Sequence, residues 1–383
     1  MEKVRLGDIV DIYLGLTHTP KYVEKGVPFL SVKDISNGKI DFSKCHYITE
    51  EEFNTLPVGA KPQVGDMLFC RVGTIGKPLI IKEGTSKFGS FVSLGFLRIT
   101  RKDYLLDYVK HWMLSNDFRQ QVMKNVKGVA QINLNTSWLK KFELPKIEIK
   151  KQQKIIRQLD KVQEIINLRK KQIEELDELI KSHFVEMFES EEYPKKTLNE
   201  LTNKITDGSH NPPTGIAENE GYMMLSSQNI INNSINYENV RFLKKEDFEK
   251  ENLRTNLNRG DVLLTIVGTV GRTAIITDET NITLQRSVAV LKPTKEINSI
   301  YLVGVINSDD VIRQLNKGAK GVAQKGIYLN DIKKILIAVP PIELQNQFAE
   351  IVKQIDKQKF ILEKSLKETE ELQESLMNKY FGE

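Results

Sequence analysis

The stretch from Ile147 to Phe188 contains neither glycine nor proline, and its apolar residues return at a fixed interval. Ile155, Leu159, Val162, Ile166, Ile173, Leu176, Ile180 and Met187, completed by Arg169 and His183, alternate strictly by four and three. That is the seam of a coiled coil, a stripe that must face a second helix. About 38 helical residues would extend roughly 57 Å, and a single helix of that length cannot bury its own stripe. The chain carries a second such stretch at its other end: Phe348, Val352, Ile355, Leu362, Leu366 and Leu376, with polar breaks at Lys359, Thr369 and Gln373. Met187 and Tyr380 each lie 32 residues after the first seam position of their own helix. Matched length and spacing favour an intramolecular antiparallel pair over two separate surface helices.

Ahead of each of these helices the chain repeats itself at an interval of about 193–195 residues. Gly65-Asp66-Met67-Leu68 through Val72-Gly73-Thr74-Ile75-Gly76-Lys77 returns as Gly260-Asp261-Val262-Leu263 through Val267-Gly268-Thr269-Val270-Gly271-Arg272. Lys127-Gly128-Val129-Ala130-Gln131 returns unchanged as Lys320-Gly321-Val322-Ala323-Gln324. Leu139-Lys140-Lys141-Phe142 answers to Ile332-Lys333-Lys334-Ile335, and Pro145 with Ile147-Glu148 is matched to Pro340 with Ile342-Glu343. One unit, a globular domain followed by a long helix, is used twice. The expected boundaries are residues 1–146 and 189–341 for the domains, and 147–188 and 342–383 for the helices. Within the domains, 64–81 and 260–276 read as strand pairs with glycine-bounded turns, 91–100 and 282–292 as further strands, and 104–126 and 299–316 as helical. The expected class is α+β: two related globular domains joined by two long antiparallel helices.

At 383 residues the chain is long for one core. Its net charge of +5 is unevenly spread, since residues 1–146 hold 22 Lys and Arg against 15 Asp and Glu, whereas 189–341 are balanced at 19 against 19. A positive excess in one domain favours a polyanionic partner. Cys45 and Cys70 are too few for a disulfide framework or a zinc site and read as free thiols in a reducing compartment. The first residues lack an apolar signal core and no segment approaches 18 uninterrupted apolar residues, so a cytosolic location is expected.

Catalytic signatures are weak. Asn211-Pro212-Pro213-Thr214 resembles the Asn-Pro-Pro-aromatic motif of amino-methyltransferases, but its fourth residue is Thr and no cofactor-binding glycine turn accompanies it. Glu148-Ile149-Lys150 lacks the upstream acidic residues of a nuclease site and suits a helix N-terminus. The glycines at 73–76 and 268–271 are not followed by Gly-Lys-Ser/Thr and so do not form a phosphate-binding loop. The five histidines show no metal-ligand spacing. No catalytic residue and no metal ligand is assigned.

What remains suits phosphates and base edges. Lys21, Lys33, Arg71, Thr74, Lys77 and Lys87 lie near turns of the first unit, with Gln131 in the repeated loop. Ser209, His210, Asn211, Gln228, Thr269, Arg272, Arg286, Gln324 and Lys325 do so in the second. Arg and Lys serve guanine or phosphate, and Asn and Gln serve adenine. Positions that differ between the copies, such as Arg71 against Thr265 or Ile266 and the loop 210–214, are the better candidates for reading sequence. Two readings stay open on the residues alone: a DNA-recognition chain, and a coiled-coil scaffold whose domains bind protein.

Two related domains, each ending in a Gly-Val-Ala-Gln loop and a proline-containing join to a long helix, resemble the specificity subunit of bacterial type I restriction–modification enzymes. The resemblance covers essentially the whole chain. It implies that each domain reads one half of a split DNA target, that the helix pair sets the spacing, and that two methyltransferase subunits dock on the helices with motor-nuclease subunits outside them. It also implies that S-adenosylmethionine, ATP and magnesium belong to those partners, and that this chain is not itself an enzyme. A related system with a fused nuclease and methyltransferase would use such a chain in the same way.

Overall fold

A computed structural model describes residues 2–36, 38–73, 75–125, 133–189, 191–217, 219, 221–277, 281–319 and 326–382. The chain forms two compact units, one of residues 1–171 with 363–383 and the other of 172–362.

The first unit is organised by an antiparallel sheet in the order Val10–Leu14, Leu94–Ile99, Met67–Cys70, Gly76–Ile80. The strand Met67–Cys70 is buried along its whole length, and its alternation divides it between two cores. Met67 and Phe69 join Tyr108, Trp112, Phe118 and Phe142 under the helices, while Leu68 and Cys70 join Leu30, Phe88 and Phe96 on the other face. A smaller sheet places Val27–Leu30 between antiparallel His46–Ile48 and parallel Gly89–Ser90. The second unit repeats the plan in the order Thr202–Asp207, Val288–Pro293, Val262–Thr265, Thr273–Ile275. Val262 and Leu264 face one core and Leu263 the other. Its smaller sheet sets Tyr222–Leu225 between Arg241–Leu243 and Ile282–Leu284.

The two long helices run without interruption over Ile149–Phe188 and Ile342–Phe381. In the first unit, Tyr380 donates to Gln158 Oε1 at 2.5 Å, Gln373 to Gln163 Oε1 at 2.9 Å, and Lys170 meets Glu370 at 2.8 Å, so rising numbers on one helix meet falling numbers on the other. In the second unit Lys359 meets Asp177 at 2.7 Å and Phe348 packs on Phe184 at 5.6 Å between ring centroids, again antiparallel. The architecture is therefore α+β with two related domains and two long antiparallel helices. Ile155, Leu159, Val162 and Ile166 are buried, as are Val352 and Ile355. Ile173, Leu176, Ile180, Leu362, Leu366 and Leu376 are half-buried. Among the described residues no helix is long and apolar enough to cross a membrane.

Three local expectations need correction. The helical stretch 104–126 is two helices, Leu106–Met113 and Asn116–Asn125, because Ser115 turns the chain and its hydroxyl accepts from Phe118 N at 3.3 Å. Its counterpart breaks likewise into Ser299–Ile306 and Asp309–Gly318 at Ser308. The span 282–292 is two strands, Ile282–Leu284 and Val288–Pro293, with the segment 285–287 turning between them, and 91–100 contributes its strand only from Leu94. Finally, matching Pro145 with Pro340 is a slip of two residues. Tyr108 donates to Pro145 O at 3.1 Å and Tyr301 to Ala338 O at 2.9 Å, so Pro145 corresponds to Ala338.

That register aligns two residues whose role the sequence hides. Gln152 and Gln345 are fully buried one turn into the long helices. Gln152 Nε2 donates to Asp103 O at 2.8 Å and Ile147 O at 2.9 Å, and its Oε1 accepts from Leu105 N at 2.9 Å. Gln345 donates to Glu296 O at 3.1 Å and Pro340 O at 2.9 Å and accepts from Asn298 N at 2.8 Å. Each amide locks a long helix to the domain that precedes it.

Candidate nucleic-acid interface

In each unit four separate chain segments are hydrogen-bonded into one corner, and the bonds are the same in both. In the second unit Ser209 N donates to Leu284 O at 2.7 Å, Arg286 N to Ser209 O at 2.9 Å, Gln285 N to Leu225 O at 2.8 Å, and Ile266 N to Ser287 O at 2.9 Å. Ser227 N adds a bond to Ser287 Oγ at 3.0 Å. In the first unit Leu16 N donates to Ser90 O at 2.8 Å, Val92 N to Leu16 O at 2.9 Å, Phe91 N to Leu30 O at 2.8 Å, and Arg71 N to Ser93 O at 3.0 Å. Val32 N closes that set on Ser93 Oγ at 3.1 Å. Both corners need a glycine where strands meet. A Cβ on Gly208 would lie 1.9 Å from Leu284 O, and one on Gly15 would lie 2.4 Å from Ser90 O. Ser31 with Asp34, and Ser226 with Asn229, close the same short capped turn in the two copies.

This frame decides where the candidate residues stand. In the second unit it brings together Ser209, Gln228 and Arg286 beside a pocket of about 450 Å³ that also includes Asn239, Arg241 and Gln285. Gln228 and Arg286 are exposed, whereas Ser209 is buried and serves through its backbone. His210 is exposed next to Ser209 in the chain and its Nε2 lies 2.8 Å from Asp207 Oδ2. Asp207 is held in turn by the Arg254 guanidinium, so His210 stands on an anchored carboxylate. Asn211 follows it, exposed. Gly268 in the neighbouring turn approaches Ser227, which sets exposed Thr269 close to the same corner. Arg272, also exposed, reaches back to Ile230 O at 3.4 Å.

In the first unit Lys33 occupies the place of Gln228 and is exposed. Arg71 is committed elsewhere: its Nε donates to Leu134 O at 3.0 Å and its Nη1 to Val92 O at 2.9 Å. Burial lowers its pKa, and its guanidinium staples the corner rather than projecting from it. Lys21 and Lys87 are exposed but gather at the helix Glu50–Thr55, away from the frame's bonds. The Lys21 amide donates to Glu52 at 3.1 Å, while the Lys87 ammonium pairs with Glu50 above the Phe53 ring. Lys77 is exposed, with φ of 39° after Gly76. Thr74, Gln131, Gln324 and Lys325, with both Lys-Gly-Val-Ala-Gln loops, lie outside the described residues. Sequence reasoning passed over Arg241, Gln285 and the stacked Tyr22–His46 pair, whose rings are 4.2 Å apart at 14°. These residues sit in short strands and bends with no motif to mark them.

The family model described as type I restriction modification DNA specificity domain matches the chain twice, over residues 1–178 and 190–374. The chain belongs to this family. It is a specificity subunit with two target-recognition domains, and such subunits work in complexes with DNA and other restriction–modification subunits. It is similar to the putative type I restriction enzyme MjaX specificity subunit of Methanocaldococcus jannaschii, at 26% identity with 97% of this chain and 91% of that one covered. The type I restriction enzyme EcoBI specificity subunit of Escherichia coli is 27% identical over a shorter stretch, 36% of this chain and 29% of that one. Among solved structures, a chain of a type I R-M system aligns with a TM-score of 0.57 at 16% identity, covering 99% of this chain and 97% of that one. The type I restriction–modification S subunit from M. genitalium aligns at 0.55 and 14% identity, covering 100% and 96%. These two likenesses show the fold.

Proposed function

We propose that residues 1–146 and 189–341 of this specificity subunit each read one half of a split duplex target, and that the two long helices set the unread gap between the halves. The observation that carries this reading is the corner frame built twice with the same hydrogen bonds and different exposed side chains. Such a pair is suited to recognising two unlike short blocks. Lys21, Lys33, Lys77, Lys87 and Arg272 supply cations for phosphates, and Arg286, Gln228, His210, Asn211 and Thr269 supply groups for base edges. Thr74, Gln131, Gln324 and Lys325 are proposed as further DNA contacts on their side-chain chemistry alone. Arg71 enters it only as the staple that shapes the first corner.

The chain contributes recognition and no chemistry in this proposal. Two methyltransferase subunits dock on the helices and hold S-adenosylmethionine, and motor-nuclease subunits bring ATP and magnesium, all in the cytoplasm. Co-expression with the methyltransferase subunit, followed by mapping of modified adenines across the host genome, tests it. A motif of two unlike blocks around a fixed gap is expected. A stable complex that leaves the genome unmodified, or modifies one continuous block, refutes it.

A further inference from the structure

The duplication supplies an internal comparison that isolates the reading side chains. The frame residues keep their roles between copies: Gly15 and Gly208, Ser31 and Ser226, Ser93 and Ser287. The shared bonds then align Phe91 with Gln285 and Val92 with Arg286. The capped turns align Lys33 with Gln228. Strand register aligns His46, opposite Phe29, with Arg241, opposite Met224. Equivalent bridges, Val23 to Tyr47 and Ile216 to Phe242, align Tyr22 with Gly215.

These positions change together. In the first unit Tyr22 stacks on His46. In the second, Gly215 leaves the space that the Arg241 side chain fills, since a Cβ there would come 2.9 Å from Arg241 Cγ. Arg241 Nη1 donates to Pro213 O at 3.0 Å, which orients the guanidinium at the pocket while leaving it further N–H groups. Arg286, Gln228 and Gln285 line the same pocket. Burial decides against a purely structural role, because Gln228 and Arg286 are exposed and Arg241 and Gln285 only half-buried.

Building on the function proposed above, we infer that Gln228, Arg241, Gln285 and Arg286 are the base-reading residues of the second unit, and that they read purine edges. Two guanidiniums match the paired acceptors of guanine, and two side-chain amides match the acceptor and donor of adenine. The first unit presents exposed Lys33 and the Tyr22–His46 stack with half-buried Val92 on the same frame, while Phe91 packs onto the core of Leu16, Val27 and Phe29. That set favours apolar contact with thymine methyl groups, with a single cation. The two half-sites are therefore read by different chemistry on one scaffold.

The test uses the full complex with its methyltransferase subunit and duplexes carrying each single-base change in the wild-type motif. Arg286→Ala, and the exchange Gly215→Tyr with Arg241→His, should each lose discrimination on the order of 10- to 100-fold at one or two positions of one block. The other block and the gap should be unchanged. An unaltered discrimination profile in both variants overturns the inference, and so does a uniform loss at every position, which marks a phosphate contact. Failure of the wild-type complex to discriminate any two-block motif would instead sink the underlying function, so the two failures are distinguishable.

Discussion

A buried side-chain amide with every bond satisfied is costly to remove, and Gln152 and Gln345 are two such groups in equivalent places. Truncating Gln152 to Ala strands the Leu105 amide and the carbonyls of Asp103 and Ile147. Unsatisfied buried groups of this kind cost about 1–3 kcal/mol each, partly relieved where water enters. A loss of about 3 kcal/mol in urea unfolding is expected for Gln152→Ala, and a similar loss for Gln345→Ala. A loss below about 0.5 kcal/mol would show that the amides are bystanders. The buried role of neither glutamine was legible beforehand. Gln152 stands in the polar run Lys150-Lys151-Gln152-Gln153-Lys154, which looks like a solvated helix face. Only the tertiary fold brings the backbone of Asp103 and Leu105 against it. The reading residues were half legible for a related reason. Gln228 and Arg286 lie in bends that advertise exposure, while Arg71 looked equally free until the fold turned it onto two carbonyls.

At the scale of elements, the long helices were the easiest part to read, because a heptad repeat is a local pattern repeated often enough to be unambiguous. The short strands were harder. Two to six residues of buried strand carry little periodicity, and the turn at 285–287 depends on bonds to Ser209, Leu225 and Ser227, which are remote in sequence. The polar breaks in the seams prove informative. Within the first unit the Arg169 guanidinium donates to Ser365 O at 2.5 Å and to the buried Thr369 hydroxyl, and Gln163 meets Gln373. Within the second, Asp177 meets Lys359. Polar seam residues that find a polar partner on the facing helix fix register at some expense of stability. Replacing Arg169 and Thr369 together by Leu should hold or raise the urea midpoint, by up to about 1 kcal/mol in stability. Replacing Thr369 alone should lower stability, because Arg169 then loses its hydroxyl partner against an apolar neighbour. If the double variant is the less stable of the two, the layer is a net stabiliser and not a register device.

At the scale of the whole chain the duplication makes the two recognition domains exchangeable parts. The corrected register shows where the joint lies, since the Gln152 and Gln345 locks bind each helix to its preceding domain through matching backbone groups. A chain in which residues 189–339 are replaced by a second copy of 1–146, leaving Pro340-Pro341 ahead of the second helix, keeps both long helices, although the new domain must meet Gln345 through residues that normally meet Gln152. The charge balance shifts with it, because a domain of 22 Lys and Arg against 15 Asp and Glu replaces one of 19 against 19. Tighter binding that weakens more steeply with added salt follows from the extra phosphate contacts such a domain can make. Mapping modified adenines in cells that carry this chain with the methyltransferase subunit should return two blocks of the same bases, separated by the original gap. Identical blocks with an altered gap would take the spacing role away from the helices. Two blocks that still differ would mean that the domains do not read their halves independently, and the division of labour proposed for this subunit would fail at its foundation.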